Sequence, residues 1–182
     1  MIVRIIVLLV VLATPSFSYA FGLVGSVTSD NGGGSAATTC TPTLTTGLAD
    51  GDFVVILIKR GSVTTDPSAV PTGFSQLAKR TVVSSSTYFV YWKIASGESS
   101  WQFTWAVGDR TACDAATYRS GFNVTTASDI TLSNTAYNTS DSTIRGASFS
   151  VPTANSPLIW LGGAHYSASH TIAAPTTGTP TG

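Results

Sequence analysis

Charge is what this chain has least of. Only 10% of its 182 residues are charged, and nine Lys and Arg balance nine Asp and Glu. A chain with no basic surplus has nothing to neutralise phosphates, so nucleic acid and anionic membrane surfaces are excluded as partners. Glutamate occurs once, at Glu98, which leaves no pair of glutamates for acid–base work on a glycosidic bond. Histidine occurs twice, at His165 and His170, with no third ligand near them in sequence, so no metal or cofactor site is expected. A Gly-x-Ser-x-Gly elbow and a His-Glu-x-x-His motif are both missing. The glycines at 32–34 are not followed by Lys-Ser/Thr, so they read as a loop and not a phosphate cradle. Asp50-Gly51-Asp52 lacks the further oxygens of a calcium loop and reads as a turn. Without a nucleophile, base and orienter, the chain is not expected to be an enzyme, and a hydrolase ranks behind the alternatives below.

A convincing helical period is also missing beyond the first 20 residues. Those begin with one positive charge, Arg4, continue with an apolar run over 5–13, and end in Ser18-Tyr19-Ala20. The run is shorter than the roughly 20 residues of a spanning helix. Small residues close it at the two positions a signal peptidase reads. A signal peptide over 1–20, cleaved near Ala20, is expected, with no membrane span after cleavage. The localisation that follows is secreted or cell surface. A domain over 21–172 and a Pro/Thr/Gly-rich end over 173–182 complete the organisation.

What is present is strand material. Residues 51–60, Gly-Asp-Phe-Val-Val-Ile-Leu-Ile-Lys-Arg, form the longest apolar run after the leader and predict a strand buried on both faces. Trp101, Phe103 and Trp105 alternate with Gln102, Thr104 and Ala106, a period of two with the aromatics inward. Over 74–83, Phe74, Gln76, Ala78 and Arg80 alternate against Ser75, Leu77, Lys79 and Thr81. Strands of this kind recur at roughly 8–12 residues between turn signals. The fold class expected is all-β, an antiparallel two-sheet sandwich, jelly-roll-like. Cys40 and Cys113 are an even pair in an exported chain, which favours a disulfide; two buried free thiols are the alternative.

The remaining aromatics offer a ligand surface. In the strand over 87–94, Tyr88, Val90, Trp92 and Ile94 share one face and Phe89 and Tyr91 the other. Phe89 and Tyr91 are the candidate ligand-binding residues, as an exposed platform on the outward face, with a covering loop as the alternative.

Several short motifs fall in a recognisable order. They are Gly51-Asp52-Phe53-Val54-Val55, Pro71-Thr72-Gly73-Phe74, Tyr91-Trp92-Lys93-Ile94-Ala95, Trp101-Gln102-Phe103-Thr104-Trp105 and Ala116-Thr117-Tyr118-Arg119-Ser120-Gly121. The set resembles a β-sandwich module of bacterial surface and secreted proteins and of phage tail-fibre proteins, over about residues 35–166. The resemblance implies a non-catalytic, bacterial or phage-associated module that binds a glycan or another cell-surface ligand. The alternative it implies is a structural or assembly module of an adhesin, surface layer or virion fibre. In that family further strands follow the one at 158–161, whereas this sequence stops at Gly182. Either the sequence is a fragment or the sandwich lacks its last strands, and the second case leaves an unpaired C-terminal edge where a protein partner adds.

Overall fold

The computed structural model describes residues 22–30, 36–82, 86–119, 130, 161–163 and 170–172. Among them there is no helix. Nine strands run in chain order: β1 (Gly22–Asp30), β2 (Ala37–Cys40), β3 (Phe53–Arg60), β4 (Ser75–Val82), β5 (Ser86–Ile94), β6 (Phe103–Asp109), β7 (Thr111–Arg119), β8 (Leu161–Gly163) and β9 (His170–Ile172). Five of them form one antiparallel sheet in the order β1-β7-β3-β5-β4, and β2 and β6 form a second. The all-β, two-sheet sandwich expected from the sequence is what the chain forms.

β3 is the middle strand of the large sheet, flanked by β5 and β7 over its whole length. Its β-branched and aliphatic side chains suit this position because both faces are covered. Val54, Ile56 and Ile58 join Phe89, Tyr91, Cys113 and Ala115 on the face turned towards the small sheet. Cys40, Phe103 and Trp105 meet them from that sheet, and Trp101 joins them from just before β6. The aromatics at 101, 103 and 105 are therefore core, as their alternation predicts. On the opposite face Phe53, Val55 and Leu57 pack with Trp92, Ala116 and Tyr118, and Ile130 lies against them.

Two ties hold the sheets together. The disulfide joins Cys40 of β2 to Cys113 of β7, closing a loop of 73 residues. That is about 4 kcal/mol of stabilisation in the chain-entropy account. The second tie is Arg60, which ends β3 and is wholly buried. Its Nη1 donates to the Ala37 carbonyl at 2.8 Å and to the Thr111 hydroxyl, and its Nη2 donates to the Val107 carbonyl at 2.6 Å. The guanidinium also sits 4.5 Å from the centre of the Trp105 ring. A single arginine thus binds β2, β6 and β7 to β3 through neutral acceptors and a ring face.

The turn before β4 explains the Pro71-Thr72-Gly73-Phe74 motif. Phe74 N–H donates to the Pro71 carbonyl at 3.3 Å, and Gly73 takes a φ of 84°. A type II turn needs positive φ at that third position, which glycine adopts without strain.

The C-terminal expectations meet the structure only in part. Leu161–Gly163 pairs antiparallel with His170–Ile172 in a two-stranded sheet, so among the described residues each of these strands has one paired edge and one open edge. The leader over 1–20, residues 158–160 of the expected strand and the end at 173–182 lie outside the described residues.

Candidate functional site: the polar flank of β4

Phe89 and Tyr91 are not a surface platform. Phe89 is 0% and Tyr91 2% exposed, and both face the small sheet. Phe89 packs against Trp105 with ring centres 6.0 Å apart, and Tyr91 against Phe103 at 4.9 Å. The expectation failed for a physical reason. β5 carries apolar residues on both faces, and a period of two separates the faces without saying which one turns outward.

The exposed chemistry lies at their rim. β4 is an edge strand whose backbone pairs only with β5 among the described residues. Gln76 stands opposite Tyr91 and Lys79 opposite Phe89. The Tyr91 phenol donates to Gln76 Oε1 at 3.0 Å. Lys79 Nζ lies 5.5 Å from the centre of the Phe89 ring and 3.1 Å from Asp66 Oδ1 in the loop between β3 and β4. Gln76, Lys79 and Asp66 are all exposed. Phe74, half-buried, continues the strip at its start and packs edge-on against Trp101 and Phe103. Burial pushes the Tyr91 phenol up to about 12, and the Asp66 carboxylate adds to the shift. Tyr91 is therefore a fixed neutral donor that orients the Gln76 amide.

A simple alternation would put Gln76 and Lys79 on opposite faces. The register of β4 slips between Gln76 and Ala78, so that Ala78 stands opposite Val90 and Lys79 opposite Phe89. Leu77 is the extra residue, and it packs with the second core. The bulge brings Gln76, Lys79 and Thr81 onto one face and leaves Arg80 on the other, opposite Tyr88. The expected faces of this strand, with Gln76 grouped with Arg80, are corrected accordingly. Nothing in the residue types announces a bulge at Leu77, so this strip was not visible in the sequence.

Several of the other charged groups hold loops. Asp52, buried, accepts the Arg119 guanidinium on both oxygens, at 3.0 and 2.9 Å, and also the Ala49 N–H at 2.8 Å. The Arg119 bonds, opposed by burial and helped by the Ala49 amide, hold its carboxyl below the usual range. Lys93 pairs with Glu98, and its ammonium also reaches the Thr72 carbonyl at 3.3 Å and the Phe74 ring. Burial works to raise the Glu98 carboxyl, but the bonds from Lys93 and from the Ser96 N–H outweigh it and its pKa lies low. Asp50 accepts from the Gly97 N–H, and Asp109 from the amides of Val63 and Arg110.

His170 stands opposite Gly163 in the β8–β9 pair, while His165 lies outside the described residues. Among the described residues no three His, Cys, Asp or Glu side chains are placed to hold a metal ion, and no helix is long and apolar enough to cross a membrane. Comparison with known proteins found no match to this chain among protein-family models, curated proteins or solved structures.

Proposed function

We propose that this chain is a secreted or surface-displayed β-sandwich that binds a glycan, without catalysis, along the exposed flank of β4. The observation that carries this reading is the strip formed by Phe74, Gln76, Lys79 and Asp66. It joins an amide, an ammonium and a carboxylate to an aromatic edge along the edge strand of the large sheet. Sugars are recognised by such groups, which donate to and accept from hydroxyls while an apolar surface takes the C–H face. Contacts within the protein orient the strip: from the core Tyr91 holds Gln76 and the Phe89 ring lies beneath Lys79, while the exposed Asp66 pairs with Lys79. Side chains already ordered lose less entropy on binding. The binding role, as against a reaction, is supported by the carboxylates of Asp50, Asp52, Asp109 and Glu98, which are spent on backbone amides and cations.

A glycan array probed with the purified protein tests this reading. Binding to a defined set of glycans, weakened in Gln76→Ala, is the expected result. Silence across the array, together with a large assembly in light scattering, would instead favour a structural module of an adhesin, surface layer or fibre.

A further inference from the structure

Resting on that glycan reading, we infer that the β4 flank takes an uncharged polysaccharide bearing vicinal hydroxyls, and not a polyanion. Lys79 is the cation of the strip, and its ammonium already faces Asp66 Oδ1 at 3.1 Å and the Phe89 ring at 5.5 Å. The pair carries no net charge. Arg80, the next cation along β4, belongs to the other face, opposite Tyr88. Over the whole sequence nine basic and nine acidic side chains cancel, so no long-range field gathers a polyanion at this surface. An incoming uronate would also meet the Asp66 carboxylate.

What the strip presents suits a neutral diol. The Gln76 carbonyl oxygen is committed to the Tyr91 phenol, which turns the amide NH2 outward as a donor. Lys79 and Asp66 set a donor directly beside an acceptor. Two hydroxyls on adjacent carbons match that pair, one accepting from the ammonium and the next donating to the carboxylate. Gln76 and Lys79 stand opposite Tyr91 and Phe89, two residues apart on β5, so they lie about 7 Å apart along the strand at about 3.3 Å per residue. That separation engages a sugar chain, not a lone ring.

Affinity electrophoresis separates the possibilities, in gels containing dextran, mannan, alginate or polygalacturonate at low and at high salt. Retardation by a neutral polymer, equal at both salt concentrations, is expected. Gln76→Ala should weaken it about 3–10-fold, the effect of one hydrogen bond. Arg80→Ala, on the opposite face, should leave it unchanged. Asp66→Asn exposes Lys79 as an unpaired cation, so this variant should gain retardation by alginate at low salt and lose it at high salt. Retardation by polyanions alone, abolished by salt, would overturn the neutral assignment while leaving glycan binding intact. Neutral retardation that Gln76→Ala does not touch would move the site off β4. No retardation by any polymer would remove the glycan reading itself.

Discussion

Asp52 shows how one carboxylate secures an end of the sandwich. It receives Arg119 from the end of β7 and the Ala49 amide from the loop before β3. Its folded-state pKa is depressed, so its contribution is fully present above the unfolded value of about 3.9 and is lost as pH falls through the folded one. Glu98 is shifted in the same direction and behaves alike. Acid unfolding followed by tryptophan fluorescence should therefore show a steep loss of stability below about pH 4. In Asp52→Asn that acid limb should be shallower and the protein less stable at neutral pH. An unchanged acid limb in the variant would show that Asp52 does not govern it. Arg60 is a second single-residue test. Arg60→Met keeps much of the volume but strips the donors from Ala37, Val107 and Thr111. The expected cost is about 1–3 kcal/mol in urea unfolding, the range for leaving buried acceptors without a donor. In the sequence Arg60 reads as the charged stop of an apolar run. Its burial became visible only once β2, β6 and β7 supplied acceptors around it, because a partner so distant in the chain leaves no local trace.

At the scale of elements, legibility followed redundancy. β3 was plain because eight consecutive residues agree on one state, and both of its faces proved to be covered. The motif at 101–105 was plain because polar residues separate its aromatics, which leaves one inward choice. β5 carries apolar groups at Tyr88, Phe89, Val90, Tyr91 and Trp92, so its pattern marks a strand but not its orientation. β4 was misphased for a different reason, since a bulge is a backbone event with no residue signature at Leu77. Deleting Leu77 should remove the bulge while keeping Gln76 opposite Tyr91 and Lys79 opposite Phe89, on the same face and at nearly the same spacing. The fold should persist, because β4 is at the edge, with a loss of about 1 kcal/mol for the half-buried leucine. Circular dichroism and thermal melting check the fold. A glycan affinity lost on the deletion would show that the bulge itself, and not the placement of Gln76 and Lys79 alone, shapes the binding strip.

For the molecule as a whole, the two sheets meet over one aromatic core with a covalent bond inside it. Both cysteines are wholly buried. Titration of the unfolded, unreduced protein should find no free thiol, and reductant should act far more slowly on the native protein than on the unfolded one. Replacing Cys40 and Cys113 together by alanine should cost about 2–5 kcal/mol, read as a lower urea midpoint. A double variant as stable as the parent would mean that Arg60 and the aromatic core suffice to join the sheets.

The strand order also sets a timetable. β1 is the first strand described, yet its neighbour in the sheet is β7, the last strand of that sheet in the chain. β3 likewise waits for β5 at one edge and for β7 at the other. A chain emerging from its amino end therefore carries unfinished strands until residue 119 has appeared, and only then can the sheet close. Assembly of this kind is dominated by distant pairings and belongs to the slow, millisecond-to-second regime of folding. During that interval the apolar β3 lies open to other copies of itself, so the hub of the finished sandwich is also the segment most exposed to misassociation on the way there.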